Sequence, residues 1–459
     1  MKTMTVGEVY RATGGRLVQG DEKVVLRRVC ADTRRIQPGD LFFALRGERY
    51  DAHDFIDRAV AGGAGALVVS RDVNVEPPVP VIRLQDTLAG LQSLAAYNRR
   101  QFNVPVVGIT GSSGKTTVKD MVAAVLETRF NLLKTKGNLN NEIGLPLTLL
   151  DFAPDHEAAV VEMAMRGPGE IDALCLLARP TCAIITTIGL AHLERLGTPE
   201  NIARAKGEIL EHIAPDGFAL LPGDSAHARE QARRCHGRVL FFGLEPGLDI
   251  YAADLRRDGA GNRFTAVMGD TRCDIHLPLP GLHNVSNALA AAGVGMMLGL
   301  APEEVAAGLA RVSLSGMRTE IMEGKNFTLI NDTYNANPES TVAALQALAE
   351  LAGNRRRVAV LGDMLELGSA TVAGHRRAGD AAAGFGVALL VTVGDLAREI
   401  AVGARQAGLA GGAVATCQDN RQALEILQSG LLPGDVVLVK GSRGMRMEEI
   451  VRGLLNDFG

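Results

Sequence analysis

Residues 104–117 have the sequence VPVVGITGSSGKTT, in which an apolar run is followed at once by a turn rich in glycine and serine. The run at residues 104–109 predicts a buried strand, and the pattern at residues 115–128 predicts a helix that begins directly after the turn. A strand, such a turn and a helix together form a phosphate-binding loop, in which backbone N–H groups and the helix N-terminus surround phosphate oxygens. The stretch therefore predicts a nucleotide site within an α/β fold.

The residue types in this loop suit particular parts of a nucleotide. Lys115 is placed to reach the outer phosphates, and the Thr116 hydroxyl is placed to bind Mg²⁺. The strict loop pattern has one further glycine where this chain has Ile109. The alternative, that the glycines only turn the chain ahead of an ordinary helix, stays open at this point. The predicted nucleotide-binding residues are Gly111, Ser112, Ser113, Gly114, Lys115, Thr116 and Thr117.

Size and composition indicate a globular protein of several domains. A chain of 459 residues is too long for one hydrophobic core and should divide into about three domains. Hydrophobic residues make up 47% and charged residues 22%, which excludes a disordered chain. The formal net charge of -4 argues against a nucleic-acid-binding surface. We place the domains at residues 1–100, 101–314 and 315–459.

Cysteine usage and hydropathy bear on the compartment. The six cysteines form no Cys-x-x-Cys pair and no Cys/His spacing of a zinc site, which indicates reduced thiols in the cytoplasm. No charged and then apolar leader opens the chain, and the longest apolar helical stretch, residues 288–301, is too short to span a bilayer. That stretch predicts a buried core helix. We expect a cytoplasmic monomer that binds small molecules, with no membrane span.

Three series of apolar runs predict three α/β domains. In the first, between residues 24 and 84, runs at 41–45 and 66–69 alternate with a helical pattern at 54–61. The second continues from residue 104 through 160–163 and 183–187, which predicts a parallel sheet buried on both faces. In the third, apolar runs end at Gly362, Gly394 and Gly441, which marks a binding edge unless these glycines only turn the chain.

Two side chains near the loop suit a metal ion. Glu162 ends a predicted strand, and His192 follows the apolar run that ends at Thr187. Both lie where the carboxyl ends of parallel strands meet, which is where Mg²⁺ and phosphates would bind. Taken alone, each is also explained as a hydrogen-bonding loop residue, and Lys206, in the helical stretch 201–212, would be a solvated lysine.

Several stretches resemble the Mur ligase superfamily, and they cover essentially the whole chain. Residues 32–34 (DTR), 38–42 and 47–55 resemble its UDP-binding amino-terminal domain, and residues 137–144 (GNLNNEIG) resemble its P-loop ATPase domain. Residues 331–338 (NDTYNANP) and 361–368 (LGDMLELG) resemble its Rossmann-like carboxy-terminal domain, in the version that accepts D-alanyl-D-alanine. The Asp-Asn-Pro-Arg signature of members that add the preceding residue does not occur.

The resemblance implies a role for each residue that matches a family motif. Lys206 aligns with a lysine that the superfamily carbamylates, which would make it a carboxylate-like metal ligand. The implied metal ligands are Thr116, Glu162, His192 and Lys206, and the implied catalytic residues are Lys115, His192, Lys206 and Arg318. The implied nucleotide contacts outside the loop are Asn284 and Asn287 near adenine, Arg318 near phosphate and Asp332 near ribose. The implied substrate-binding residues are Thr33, Arg34, Asn138, Asn140, Asn141, Tyr334, Asn335 and Asn337.

The resemblance also implies an activity. It implies a ligase that uses ATP and Mg²⁺ to join D-alanyl-D-alanine to a UDP-N-acetylmuramoyl tripeptide through an acyl phosphate, in peptidoglycan precursor synthesis. The third residue of that tripeptide stays open between meso-diaminopimelate and lysine. Two alternatives also stay open: a Mur-type ligase with another amino-acid substrate, and a P-loop NTPase switch in which hydrolysis drives a conformational change.

Overall fold

The computed structural model of the chain describes residues 3–47 and 49–457, which form three α/β domains. Glu48, in the segment that resembles a UDP-binding domain, lies outside the described residues. The elements of the first domain are β1 (Met4–Thr5), α1 (Val6–Thr13), β2 (Arg16–Gln19), β3 (Val25–Leu26), β4 (Val29–Cys30), β5 (Leu41–Phe43), α2 (Ile56–Ala61), β6 (Ala66–Val69), β7 (Val81–Arg83) and α3 (Thr87–Arg99).

The first domain has a five-stranded sheet in the order β2-β7-β6-β5-β4, and β1 pairs with β3 beside it. Strands β4 to β7 are parallel neighbours, because helices and turns carry the chain back between them. The predicted strands at residues 41–45 and 66–69 are confirmed. The predicted helix at 54–61 is confirmed from Ile56 onward, since Ala52–Phe55 form a 3₁₀ turn before α2.

The middle domain carries the predicted phosphate loop. Its elements are β8 (Val106–Thr110), α4 (Lys115–Leu126), β9 (Leu132–Lys134), α5 (Gly144–Leu150), β10 (Ala158–Glu162), α6 (Glu170–Ala178), β11 (Cys182–Ile185), α7 (Leu193–Leu196), α8 (Pro199–Glu211), β12 (Phe218–Pro222), α9 (Ala226–Gln231), β13 (Arg238–Gly243), β14 (Ile250–Asp258), β15 (Gly261–Met268), β16 (Thr271–Leu277), α10 (Leu282–Met297) and α11 (Pro302–Ala310).

The sheet of the middle domain has the order β16-β15-β14-β13-β12-β11-β8-β10-β9. Strands β9 to β14 are parallel and their central members are buried, as predicted. The sheet also contains strands for which the sequence made no prediction: β15 pairs antiparallel with β14, and β16 pairs antiparallel with β15. Tight turns at Gly259 and Gly269, both with positive φ, join these three strands without a crossover helix.

The apolar stretch at residues 288–301 is a core helix, as predicted. It forms most of α10, which begins at Leu282 and ends before Gly299, a residue with φ +80°. Helix α10 packs on α4, so the helix that follows the phosphate loop is covered by apolar side chains. Across residues 3–47 and 49–457, every helix is too short or too polar to span a bilayer.

The third domain is a doubly wound sheet. Its elements are β17 (Glu320–Glu323), β18 (Thr328–Asp332), α12 (Pro338–Ala352), β19 (Arg357–Gly362), α13 (Thr371–Gly384), β20 (Leu389–Val393), α14 (Arg398–Gln406), β21 (Val414–Cys417), α15 (Asn420–Gly430), β22 (Val436–Lys440) and α16 (Glu448–Asp457). The strand order is β17-β18-β22-β19-β20-β21, with only β17 antiparallel.

The three strands with terminal glycines are neighbours in this sheet. Strands β22, β19 and β20 lie side by side, so their carboxyl ends meet at one edge. A Cβ atom at Gly394 would lie 2.4 Å from Oδ1 of Asp363, so glycine is required where these strand ends crowd together. Alternate strand residues enter two separate cores, one on each face, which places helices on both sides of the sheet.

Candidate active site

The phosphate loop joins the carboxyl end of β8 to the amino end of α4, and two of its glycines are sterically required. Gly111 has φ +152° and Gly114 has φ +80°. A Cβ atom at Gly111 would lie 1.9 Å from Oγ1 of Thr186, and one at Gly114 would lie 3.2 Å from Oδ1 of Asn287. The loop backbone therefore packs directly on the residues that follow β11 and on α10.

The residues after β11 hold the loop in place from one side. The Ser113 N–H donates to Oγ1 of Thr187 (2.9 Å), and Oγ1 of Thr186 donates to the Ser113 carbonyl (2.5 Å). The Ser112 N–H donates to the Thr187 carbonyl (2.9 Å). The predicted nucleotide residues Ser112 and Ser113 are thus bound through backbone atoms to the neighbouring strand end.

The amino end of α4 offers backbone donors for an anion. Within residues 3–47 and 49–457, the N–H groups of Gly114, Lys115 and Thr116 have no hydrogen-bond acceptor. Unpaired N–H groups of a first helical turn, with the positive end of the helix dipole, attract phosphate. This arrangement is the one that the sequence predicted for residues 111–117.

The Lys115 side chain folds back over the loop. Its Nζ donates to the Gly111 carbonyl at 2.6 Å, and the residue is half-buried. Burial lowers the pKa of Lys115, the charge of Glu162 opposes that effect, and the charge of Arg318 lowers the pKa further. Lys115, Glu162 and Arg318 are therefore electrostatic neighbours, although they come from two domains.

A buried carboxylate lies beside the loop. Glu162, the last residue of β10, is 2% exposed, and its Oε2 accepts a hydrogen bond of 2.8 Å from Oγ1 of Thr116. Its Oε1 accepts from Nδ2 of Asn140 at 2.8 Å, and its N–H donates to Oγ1 of Thr135 at 3.0 Å. The contact between Asn140 and Glu162 has no local sequence signal, since 22 residues separate the two.

The Thr116 and Glu162 oxygens fit a magnesium ion. Mg²⁺ prefers hard oxygen ligands and is commonly held by one or two carboxylates, with phosphates and water completing the octahedron. No group of three His, Cys, Asp or Glu side chains that could hold a metal converges in the part of the chain that the structure describes. The donor set therefore suits an ion that is bound together with a nucleotide.

His192 lies in the loop after β11 and meets the third domain. Its Nδ1 is 3.0 Å from Oε2 of Glu366, and both residues have positive φ, +67° and +64°. Burial lowers the pKa of His192, and the charges of Lys206 and Lys115 add to that effect while Glu366 opposes it. No role was predicted for Glu366 from the sequence, although it belongs to the LGDMLELG run at residues 361–368.

Lys206 is buried in α8, so its interpretation as a solvated lysine is wrong. The residue is 1% exposed, and no hydrogen bond or ion pair holds its amine within residues 3–47 and 49–457. Burial, and then the charge of Lys115, lower its pKa well below the ordinary value. Both effects disfavour the charged form of this amine.

The third domain contributes a cation, Arg318, and a carboxylate, Asp332. The Arg318 guanidinium stacks 3.8 Å from the ring centroid of Tyr334. Oδ2 of Asp332 accepts from Nζ of Lys440 at 2.6 Å, and Oδ1 accepts from the Thr319 N–H at 3.2 Å. Lys440 is the last residue of β22 and is 3% exposed. In the sequence, only its position at the end of a predicted strand indicated that it belongs to the site.

Asn284 and Asn287 lie on α10 directly beneath the phosphate loop. Both are buried, and Nδ2 of Asn284 donates to the Pro280 carbonyl at 2.8 Å. Nδ2 of Asn287 is 3.4 Å from Oδ1 of Asn284. The structure thus brings both side chains to the loop, and their contact with adenine stays a prediction.

The predicted substrate-binding residues divide between free and occupied side chains. Asn138 and Asn335 are exposed, and Tyr334 stacks on Arg318. Two others have a side-chain oxygen that accepts a backbone hydrogen bond: Oδ1 of Asn141 accepts from the Gly144 N–H (2.9 Å), and Oδ1 of Asn337, the N-cap of α12, accepts from the Ser340 N–H (2.8 Å). Thr33 and Arg34 lie in a 3₁₀ turn of the first domain, where Asp32 binds the Arg34 guanidinium.

This geometry defines a three-domain α/β protein with a phosphate loop in its middle domain and charged groups contributed by its third domain. Family models agree with that class along the chain. The Mur ligase family, catalytic domain, matches residues 26–105; the Mur ligase middle domain matches residues 109–295; and the Mur ligase, glutamate ligase domain, matches residues 317–443. The chain belongs to the Mur ligase family.

Individual relatives are similar over nearly their whole length. The UDP-N-acetylmuramoyl-tripeptide--D-alanyl-D-alanine ligase of Escherichia coli (strain K12) is 39% identical over 459 residues, 99% of each chain. A crystal structure of MurF from Acinetobacter baumannii superimposes with a TM-score of 0.90 at 33% identity over 99% of each chain. MurF ligase from Thermotoga maritima, in complex with ADP, has a TM-score of 0.83 at 30% identity over 94% of this chain and 98% of that one.

Proposed function

We propose that this chain uses ATP and Mg²⁺ to join D-alanyl-D-alanine to a UDP-N-acetylmuramoyl tripeptide, a step of peptidoglycan precursor synthesis. The observation that carries the proposal is that the phosphate loop of the middle domain lies close to charged residues of the third domain. The middle domain supplies the phosphate loop with Glu162, and the third domain supplies Arg318 and Asp332. The full-length similarity to ligases of this name supports the choice of substrates.

Two chemical steps follow from the need for a leaving group. A carboxylate is a poor acyl donor, so an oxygen of the tripeptide's terminal carboxylate first attacks the γ-phosphorus of ATP, and ADP leaves. The amine of the dipeptide then attacks the acyl carbon of the acyl phosphate, loses a proton and expels phosphate. The protein must hold the reacting atoms in line and neutralise charge on the transferring oxygens.

The residues at the phosphate loop suit the first step. Lys115, Arg318 and the free N–H groups of α4 surround the place of the outer phosphates, where each offsets negative charge. Thr116 and Glu162 would hold Mg²⁺, which when bound supplies further positive charge at the phosphate oxygens. Asn284 and Asn287 lie on the adenine side, and Asp332 lies on the ribose side.

Lys206 is assigned to a second metal position through carbamylation. A neutral lysine amine adds to the carbon of CO₂ and releases one proton, which leaves an N-linked carboxylate. The burial of Lys206 and the nearby charge of Lys115 both favour the neutral amine that this addition needs. The new carboxylate would also balance Lys115, and His192 would complete the ligand set.

Substrate recognition is divided among the domains, which we assign to residues 1–100, 101–314 and 315–459. Thr33 and Arg34 of the first domain bind the UDP portion, and Asn138, Asn140 and Asn141 of the middle domain bind the sugar or peptide. Tyr334, Asn335 and Asn337 of the third domain bind the dipeptide. All six cysteines are free, which supports a cytoplasmic enzyme, and we assign it as a monomer.

The proposal is tested with purified protein, ATP, Mg²⁺, UDP-N-acetylmuramoyl tripeptide and a panel of amines. We expect phosphate release and a ligated product only when D-alanyl-D-alanine is present. Turnover with a different amine would instead identify another Mur-type ligase, and turnover without any amine would identify an NTPase switch. Tripeptides that contain meso-diaminopimelate or lysine, assayed side by side, identify the third residue.

A further inference from the structure

The segment that leaves the middle domain is fastened to the helix of the phosphate loop. The Ser315 N–H donates to Oδ2 of Asp120 at 2.7 Å, and Oγ of Ser315 donates to Oδ1 at 3.0 Å. Asp120 belongs to α4 and is 8% exposed. Just before Ser315, Val312 and Leu314 pack on the core of the middle domain. This segment, the linker to the third domain, is thus bound to the middle domain as far as Ser315.

A buried lysine completes this attachment. Lys119 is 2% exposed, and its Nζ lies 2.9 Å from Oδ1 of Asp120 and 3.3 Å from the Thr135 carbonyl. Thr135 in turn accepts the N–H of Glu162 through its hydroxyl. The ion pair compensates the buried charge of Asp120, so the anchor of the linker belongs to the same hydrogen-bonded group as the carboxylate beside the loop.

Past Gly316 the linker is fastened to the third domain instead. The Tyr334 N–H donates to the Met317 carbonyl at 3.1 Å, and the Thr319 N–H donates to Asp332 at 3.2 Å. Met317 and Thr319 have φ +60° and +46°, which non-glycine residues keep only when their surroundings enforce it. Arg318, between them and stacked on Tyr334, therefore moves with the third domain.

Gly316 is the one residue between these two attachments. It is exposed, and a Cβ atom there would have no heavy atom within 4 Å. Within residues 3–47 and 49–457 it makes no hydrogen bond. Hinges in proteins are a few residues that absorb a change of φ and ψ while packed elements on both sides stay rigid. Gly316 satisfies that description, since along the chain it alone separates Ser315, which is bound to the middle domain, from Met317, which is bound to the third.

We infer that Gly316 is the pivot on which the third domain turns, and that Asp120 is a positioning residue that acts through Ser315 to set where Arg318 enters the phosphate site. The inference rests on the proposed function, because it takes the phosphate role of Arg318 from it. Arg318 follows the anchor by only three residues, so its approach to Lys115 is determined by the helix that carries Lys115. Closure of the third domain then returns the guanidinium to the same place each time.

The positioning role is tested by a double-mutant cycle on binding of the ATP analogue AMP-PNP, measured by calorimetry. We expect Ser315→Ala to weaken binding about fivefold in the wild-type chain and by less than about twofold in Arg318→Ala, because the anchor acts through Arg318. Ser315→Thr keeps the hydroxyl and should bind as the wild type does. Equal losses in both backgrounds would show that Asp120 and Ser315 do not position Arg318.

The pivot is tested by small-angle X-ray scattering with and without AMP-PNP. We expect Gly316→Ala to reduce the nucleotide-dependent decrease in radius of gyration by about half, because an alanine restricts φ and ψ where no neighbour opposes its Cβ. Gly412→Ala, at an equally open and exposed glycine of the third domain, is the matched control and should behave as the wild type does.

The outcomes separate this inference from the proposed function. A wild-type chain that binds no AMP-PNP would overturn both. Binding with additive losses in the cycle would overturn the positioning role alone. The pivot role of Gly316 would be overturned if the radius of gyration of the wild-type chain did not decrease on binding AMP-PNP. It would also be overturned if Gly316→Ala showed the full wild-type decrease. In either case, ligase activity of the wild-type chain would leave the proposed function intact. Thermal unfolding of each variant verifies that the chain is folded.

Discussion

Burial, and then the charge of Lys115, lower the pKa of Lys206, a side chain that is 1% exposed and has no hydrogen-bond partner in the part of the chain that the structure describes. Two lysines thus share one low-dielectric region at the end of the phosphate loop. Placing like charges together costs free energy unless one is neutral or an anion separates them. A carbamate on Lys206 would remove that cost, because it replaces a cation by an anion. The negative charge of phosphate oxygens would neutralise Lys115.

Replacement of Lys206 by alanine should abolish most of the activity without unfolding the protein. We expect kcat to fall by about 10²–10³-fold, because a ligand that stabilises charge at the transferring phosphoryl group is lost. High concentrations of a short carboxylic acid, which can occupy the emptied position, should restore part of the rate. Lys206→Arg is the matched variant, since it keeps a long basic side chain but cannot form a carbamate.

The measurement is phosphate release at several concentrations of bicarbonate and of acetate. Rescue of Lys206→Ala but not of Lys206→Arg is the expected pattern, because arginine still fills the space. Near-normal activity of Lys206→Ala without additives would remove Lys206 from the catalytic set.

Replacement of Glu162 by glutamine should raise the Mg²⁺ concentration required for activity. The carboxylate accepts hydrogen bonds on both oxygens, from Thr116 and from Asn140. In glutamine one of these oxygens becomes an NH₂ group, which would face a hydrogen-bond donor instead of accepting from it. Each such mismatch in a buried site costs about 1–3 kcal/mol, and the negative charge that attracts the cation is lost as well. We expect the half-saturating Mg²⁺ concentration to rise at least about tenfold.

A magnesium titration of phosphate release checks this prediction. Glu245→Gln, at an exposed glutamate of the middle domain, serves as the control and should titrate as the wild type does. An unchanged Mg²⁺ dependence of Glu162→Gln would mean that Glu162 only braces Thr116 and Asn140.

Replacement of Gly111 by alanine should destabilise the middle domain as well as abolish turnover. A Cβ there would lie 1.9 Å from Oγ1 of Thr186, and a φ of +152° is unfavourable for an L side chain. We expect a loss of about 2–4 kcal/mol, from the overlap and the backbone strain together. The midpoint of thermal unfolding measures the loss.

Gly137→Ala provides the comparison for Gly111→Ala. Gly137 has φ +57° with no heavy atom within 4 Å of its Cβ position, so alanine there adds strain without overlap. We expect a cost of only about 1 kcal/mol at that position. Similar effects at the two positions would show that the contact with Thr186 relaxes easily.

His283 should make the stability depend on pH in the acid range. Burial lowers the pKa of His283 from 6.5 to about 4, with Lys440 adding to the effect and Asp332 opposing it. The unfolded chain therefore binds this proton at a higher pH than the folded chain does. The contribution to stability is present above about pH 6.5 and is lost progressively as the pH falls to about 4.

Thermal unfolding of wild type and His283→Asn between these pH values tests the assignment. The variant should lose less stability than the wild type as the pH falls, because it has no proton to bind at that position. His236→Asn, at an exposed histidine, should follow the wild-type profile. Parallel profiles for wild type and His283→Asn would assign the acid sensitivity to other groups.

Local patterns predicted much of the fold because their causes are local. The strand at Val106–Thr110 and the helix at Lys115–Leu126 lie within two residues of the prediction, since apolar runs and glycines act on their own segment. The antiparallel strands β14 to β16 were not predicted. Burial alternates along β16 and over the first residues of β14, and runs of that kind carry less apolar signal than strands buried on both faces.

The chemistry of individual side chains was harder to predict. From the sequence alone, Lys206 was interpreted as a solvated lysine. A helix pattern does not show that neighbouring helices cover more than one face of the helix, and in the structure both α6 and α9 pack against α8. The contact of His192 with Glu366 joins residues 174 positions apart, and no spacing rule reaches that far. Lys119 and Asp120 carried no functional signal, because only the path of the linker brings Ser315 to them.

By itself the sequence determined the three α/β units, the phosphate loop and the residue types available to it, because hydrophobic periodicity and glycine stereochemistry act over a few neighbouring positions. The tertiary structure alone decided which of those residues meet. It buried Lys206 beside Lys115, set Thr116 and Asn140 on Glu162, and placed Gly316 between two anchors. Burial and charge pairing arise when distant segments exclude water together, so these properties belong to the assembled fold.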